Sequence, residues 1–338
     1  MNNTVIITGC RGMDGSILSE KYLQKGYRVV GIDRWEPTES YPNLSIAMEN
    51  PNFIFETGDI CEKRFMYEMI KKYEPELIYN MAAISLVPES FKIPEKIFEI
   101  NTIAVLNMLE ILREFYPTIK FYQASTSEMI GKNTMFPQNL DSKMIPNSPY
   151  AIAKLASHHL IRLYREAYGL FACSCMLHNH EGTRRGATFV TRKITKAVAN
   201  IKKNGVTVPL ELGNIDTFRD WGNADDYCEA MIRVMEADTP ADYAINTGEA
   251  HSIREFVEKS FANIGVKICW KGKGIDEIGY DNATNDILVT INEKFFRPAE
   301  VEYLHGDYSK IKRCLNWKPT THFDELIKIM IDYDLEHC

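Results

Sequence analysis

Residues 3–25 constrain the fold more than any other stretch. NTVIIT (3–8) is an apolar run that ends in Gly9-Cys10-Arg11-Gly12-Met13-Asp14-Gly15, and a helical pattern continues to Lys25. A glycine-rich turn between a strand and a helix is the context of a dinucleotide cradle: glycine lets backbone approach a pyrophosphate, and the helix start supplies free N–H groups. The spacing is GxxGxxG rather than GxGxxG. Gly9, Gly12, Met13, Asp14 and Gly15 are therefore the candidate cradle.

The rest of the first half keeps this rhythm. RVVGID leads to Asp33, FIFETGDI to Asp59 and Ile60, ELIYNMAA to Ala82, and FYQASTSE to Thr126 and Glu128, with helical stretches between them. Strand alternating with helix at this pace predicts a doubly wound parallel sheet, α/β in class, whose ligands bind at the strand carboxyl ends. A smaller, mixed α/β substrate-binding lobe is expected from the remainder. The expected division is a dinucleotide-binding domain over 1–176 plus about 215–246, and a lobe over about 177–214 and 247–338. An acid ending the second strand favours a free ribose 2′-hydroxyl, whereas Arg34 after it suits a 2′-phosphate. The cofactor is read as NAD(P), with a lean to NAD from Asp33.

Ser148-Pro149 opens a long helix on which Tyr150 and Lys154, four residues apart, share a face. A nearby ammonium favours a phenolate, and a drop of ~3 units from ~10 would bring Tyr150 near neutrality. With Thr126 as hydroxyl donor and Glu128 as carboxylate, this is a candidate acid/base site. Spacing of the YxxxK kind is common by chance; its weight comes from the strand ends that precede it.

A net charge of −7 argues against general nucleic-acid binding, although residues 184–203 hold seven Lys or Arg and no acid, a local anion site in an acidic chain. No apolar run approaches ~18 residues, so no membrane span is expected. The eight cysteines lack zinc spacing, and MNNTVIITGC has no signal-peptide pattern; a reduced, cytoplasmic protein without a metal is the expectation. His178 and His180 alternate on a strand, where core contact or hydrogen bonding is favoured over a metal. Arg184 and Arg185 divide between this anion site and surface or subunit-interface positions.

ITGCRGMDGS (7–16), YQASTSEM (122–129), SPYAIAKL (148–155), NHEGTRRG (179–186), FVTRKIT (189–195), LGNIDTFRDWG (212–222) and FRPAEVE (296–302) together resemble the extended short-chain dehydrogenase/reductase family. Within it they resemble the GDP-mannose 4,6-dehydratase branch. The resemblance implies that Tyr150, helped by Lys154 and Thr126, takes the C4 hydroxyl proton of a GDP-sugar while hydride passes to the nicotinamide. Glu128 then removes the C5 proton, water leaves from C6, and the hydride returns there, giving a 4-keto-6-deoxy sugar. Ser127 stands where related dehydratases have an Asp beside the Glu, so Glu128 serves both steps. By the same resemblance Ser85, Asn179, Val190, Lys193, Arg219, Arg297 and Glu300 contact the substrate, and the chain forms a homodimer or homotetramer. DRWEPTES replaces the branch's usual NADP-linked segment, and Leu86 replaces a histidine near the sugar. These departures leave open another GDP-sugar, such as a GDP-heptose or GDP-N-acetylhexosamine. A nucleotide-sugar 4-epimerase or 4-keto reductase would keep Tyr150 and Lys154 but has no use for Glu128.

Overall fold

Apolar runs buried on both faces become the central strands, as a parallel sheet covered by helices requires. In the computed structural model, which describes residues 3–34, 42–206, 208–296 and 299–337, these are β1 (Thr4–Thr8), β2 (Arg28–Asp33), β3 (Phe53–Thr57), β4 (Leu77–Asn80), β5 (Lys120–Ala124) and β6 (Ala172–Leu177). With the edge strand Ala244–Ile245 they form a seven-stranded, all-parallel sheet in the order edge-β6-β5-β4-β1-β2-β3. The chain starts in the middle and works outward in both directions, so a crevice opens where the order reverses, between β1 and β4.

Alternation along the strands sends side chains into two cores. On one face Val5, Ile7 and Val29 meet Leu18 and Tyr22 of helix α1 (Met13–Gln24) and Met231 and Met235 of the helix Ala224–Glu236. On the other, Ile6, Val30 and Phe121 meet Met66, Met108, Leu112 and Ile161. A third core, containing Ile194, Val198, Trp221, Phe256, Leu326 and Met330, lies in the lobe. There a four-stranded sheet joins Leu210–Leu212 in parallel to Ile287–Ile291 and continues antiparallel through Ile278–Asp281 and Ile268–Lys271.

One helix departs from expectation. The helical stretch expected between β4 and β5 is interrupted by a π turn at Glu99–Ile103 between the helices Pro94–Phe98 and Ala104–Phe115. Such turns occur often at functional sites. Here the turn lets the Asn101 side chain accept from Ile84 N and donate to Ile84 O, both at 3.1 Å, which pins the segment after β4.

The edge strand is anchored by a buried ion pair. Arg165 donates through two nitrogens to Asp242 at 2.8 and 2.6 Å, and Asp242 also accepts from Ser174 N at 2.7 Å. Replacing Arg165 by Met leaves a buried carboxylate without its cation and should cost about 3–5 kcal/mol, read as a lower midpoint of chemical denaturation; an unchanged midpoint would refute the anchoring role.

Candidate active site

A single cleft of ≈ 550 Å³ runs along the carboxyl ends of the parallel strands into the lobe. Its cofactor end is shaped by glycine. Gly9 has φ +65°, and a Cβ there would lie 2.7 Å from Ala82 N; one on Gly15 would lie 2.4 Å from Gly9 O. The first position requires glycine for conformation and both for space. Gly12 is the N-cap of α1 and no side chain caps it, so the helix start that lines the cleft keeps its backbone donors for a ligand. A cradle that any Cβ would fill, at an uncapped helix start, fits a dinucleotide pyrophosphate. Asp33, Arg34, Asp59, Ile60 and Ala82 line the same end. Arg11 Nη1 approaches Asp33 Oδ1 at 3.5 Å and Arg34 N donates to the same oxygen at 2.8 Å, so the acid is partly neutralised in place.

The acid/base residues converge at the middle of the cleft. Thr126 caps a short 3-10 turn, Ser127–Met129, its hydroxyl accepting from Glu128 N at 3.2 Å. The same hydroxyl lies near enough to the Tyr150 phenol to favour its ionised form, and both line the cleft. Ser148 caps the helix Pro149–Tyr168, accepting from Ala151 N at 3.1 Å, which fixes Tyr150 in the first turn. Thr126, Glu128, Tyr150 and Lys154 are all buried and all line the cleft.

The electrostatics of this group differ from expectation. Burial pushes the Tyr150 phenol up to about 12; the Thr126 hydroxyl opposes this, the Glu128 carboxylate adds to it, and Arg185 works against it. The tuning of Tyr150 toward neutrality by Lys154 is therefore overturned for the protein alone. The reason is where the ammonium sits: Lys154 Nζ donates to Ala124 O at 2.9 Å, 6.0 Å from the centre of the phenol ring, and burial lowers its own pKa to about 8.

At the lobe end, Asn179 lies on the short strand Asn179–Glu181, paired with Trp221–Asn223. Val190 and Lys193 occupy the first turn of the helix Val190–Asn204, where the Lys193 ammonium sits 3.6 Å above the Phe295 ring. Arg219 Nη2 donates to Glu300 Oε1 at 3.0 Å across 81 residues of sequence. The aspartate after Arg219 explains the RDWG motif: Asp220 accepts from Thr247 N and Oγ1, Gly248 N and Gly306 N, and so fixes the loop that presents Arg219. Ser85, Asn179, Val190, Lys193, Arg219 and Glu300 all line the cleft, whereas Arg297 lies outside the described residues.

The structure gives a place to residues that the sequence left open, and His180 makes a hydrogen bond as expected. Arg184 and Arg185 are half-buried. Arg184 pairs with Glu20 of α1 at 2.8 Å, while Arg185 pairs with Glu181 at 3.0 Å, stacks on Phe189 at 3.5 Å and lines the cleft. His180 Nε2 meets Asp14 Oδ2 at 2.9 Å with its ring stacked on Tyr227, which ties the glycine turn to the lobe. Their only sequence signal was the basic run beside NHE. Among the described residues no cluster of three or more His, Cys, Asp or Glu could hold a metal ion, and no helix is long and apolar enough to cross a membrane.

The comparisons with known proteins agree with this geometry. The Bacillus anthracis dTDP-glucose 4,6-dehydratase structure, solved in complex with NAD, has the same fold at a TM-score of 0.80 and 21% identity, over 98% of this chain and 96% of that one. The GDP-mannose 4,6-dehydratase of Drosophila melanogaster is 43% identical over 99% of this chain and 87% of its own length. The human GDP-mannose 4,6-dehydratase is 42% identical over 99% of this chain and 92% of its own length. The family described as GDP-mannose 4,6 dehydratase matches residues 6–330. The chain belongs to the GDP-mannose 4,6-dehydratase family.

Proposed function

We propose that the protein dehydrates a GDP-sugar, GDP-mannose in the first place, to its 4-keto-6-deoxy derivative with a retained NAD(P). The observation that carries the reading is the meeting of Glu128 and Tyr150 on one cleft, with Thr126 beside them. Gly9, Gly12, Met13, Asp14 and Gly15 hold the dinucleotide, with Asp33, Arg34, Asp59, Ile60 and Ala82 around its adenosine half. When bound, the oxidised nicotinamide supplies the hydride acceptor for C4 and a positive ring charge in the cleft.

This chain's own groups move the protons. Tyr150, with Thr126 beside it, takes the C4 hydroxyl proton, and Lys154 holds the β5 strand end nearby. The C4 ketone acidifies C5–H, which Glu128 removes; the same carboxyl then protonates the C6 hydroxyl as it leaves as water. Ser127 carries no acid, so one carboxylate performs both transfers. Arg219, Arg297 and Lys193 supply positive charge for the diphosphate and guanine end, and Ser85, Asn179, Val190 and Glu300 complete the contacts. An epimerase or 4-keto reductase needs no base at C5, and the buried Glu128 beside Tyr150 favours the dehydratase.

The two-domain division, 1–176 with about 215–246 against about 177–214 with 247–338, is proposed on the separate lobe core, although Ile215 and Trp221 pack into that core and Ile311 and Trp317 into the one beside α1. A homodimer through the helix Pro149–Tyr168 is supported by exposed Ile152 and Leu163, with Phe98 and Ile103 beside them; a sedimentation coefficient of a monomer would reject it. Location in the cytoplasm is part of the same proposal, and cell fractionation tests it.

Incubating the purified protein with a panel of GDP-sugars, without added reductant, should give a product lighter by one water. Glu128→Gln should still bind GDP-sugar yet form none of it, and appreciable product from that variant would remove the assigned base. Thr126→Val removes the hydroxyl that favours the phenolate. The acidic limb of the kcat/KM profile should then move to higher pH, and a limb that stays put would reject Thr126 as the tuning group.

A further inference from the structure

The proposed chemistry leaves one wall of the sugar end unexplained. His178 follows β6; its backbone N–H donates to Ile245 O at 3.0 Å and the residue is 1% exposed. Neither ring nitrogen has a hydrogen-bond partner among the described residues. Along β6, Cys173, Cys175 and Leu177 face the α1 side, whereas Met176 meets Met129 and Ile130 on the opposite side. Alternation therefore turns His178 toward the turn that carries Glu128. His178 lines the same cleft as Thr126, Glu128 and Tyr150.

A buried imidazole with both nitrogens unmet is costly unless something in the cleft meets them. Burial, with His305 adding to it, draws its pKa down to about 3, so the ring is neutral at working pH. A neutral imidazole offers one N–H and one lone pair, and a hydroxyl, both donor and acceptor, matches it. On the dehydratase reading, Tyr150 and Thr126 engage the C4 hydroxyl, and Glu128 acts at C5 and C6. Only the C2 and C3 hydroxyls of the pyranose remain.

We propose that His178 binds the C2 or C3 hydroxyl of the hexose and thereby sets which GDP-sugar the cleft accepts, an inference that rests on the dehydratase reading. The competing occupant is a buried water. Asn246, fully buried just beyond Ile245, also has both side-chain polar atoms without a described partner and could share a water with His178.

The test compares wild-type holoenzyme with His178→Phe and His178→Gln, on GDP-mannose and its 2-deoxy and 3-deoxy derivatives, with GDP as a binding control. Wild type should discriminate against one deoxy derivative. His178→Phe should raise KM for GDP-mannose roughly tenfold, the scale of one lost hydrogen bond, and abolish that discrimination, while GDP affinity stays the same. His178→Gln, which keeps a donor and an acceptor, should restore part of both and serves if the Phe variant does not fold. Unchanged KM and unchanged discrimination in the folded variants overturn the proposal and assign the ring to a buried water. Failure of every protein to release a dehydrated product sinks the dehydratase reading instead; calorimetric binding of the same sugars still reads the hydroxyl contact, upheld by a loss in His178→Phe and overturned by equal binding.

Discussion

The hydroxyl of Thr126 is the joint on which the site depends. It accepts from Glu128 N and so sets the turn that presents the carboxylate, and its nearness to the Tyr150 phenol favours the ionised form. One short side chain just beyond β5 thus acts on two groups that come from different elements, a strand end and a helix start. Acid/base work on adjacent carbons demands fixed spacing, because a displacement of about 1 Å costs about 10²-fold in rate. The capped first turn of the helix Pro149–Tyr168 and the Lys154 bond to Ala124 O hold the other side of the joint.

Around this joint the protein spends much of its buried charge on ties between the dinucleotide end and the lobe. Asp14 of the glycine turn meets His180 and Glu20 of α1 meets Arg184, while within the lobe Glu181 receives both Arg185 and Thr191 and so braces the segment that carries these partners. Breaking a buried pair by removing one partner is far more costly than its net worth suggests. These ties therefore resist sliding of one half of the cleft against the other, which a reaction that returns its hydride to the same sugar requires.

Much of this was legible in the amino-acid order. The glycine turn, the acids ending β2 and β3, Thr126 and Glu128 after β5, and the Tyr150–Lys154 spacing all follow from local rules, and every described candidate residue lines one cleft. What sequence could not carry are quantities set by three-dimensional surroundings. The phenol rises to about 12 because the site is buried and the ammonium is bonded to Ala124 O rather than placed against the ring. The Arg219–Glu300 pair spans 81 residues, and the π turn that lets Asn101 clasp Ile84 leaves no mark on hydrophobic periodicity. Arg184 stays divided between an anion site and the surface because its acidic partner Glu20 comes from a distant part of the chain.

The central claim is that Tyr150 and Glu128 act in turn on one sugar within one closed cleft, and isotope tracing tests it most directly. GDP-mannose carrying deuterium at C4 is turned over in ordinary water, and unlabelled substrate is turned over in deuterium oxide; both products are read by NMR. The account requires the C4 label to reappear at C6 without dilution, and a single solvent deuterium to enter at C5. Loss of the C4 label to solvent, or its retention at C4 with no exchange at C5, would contradict it.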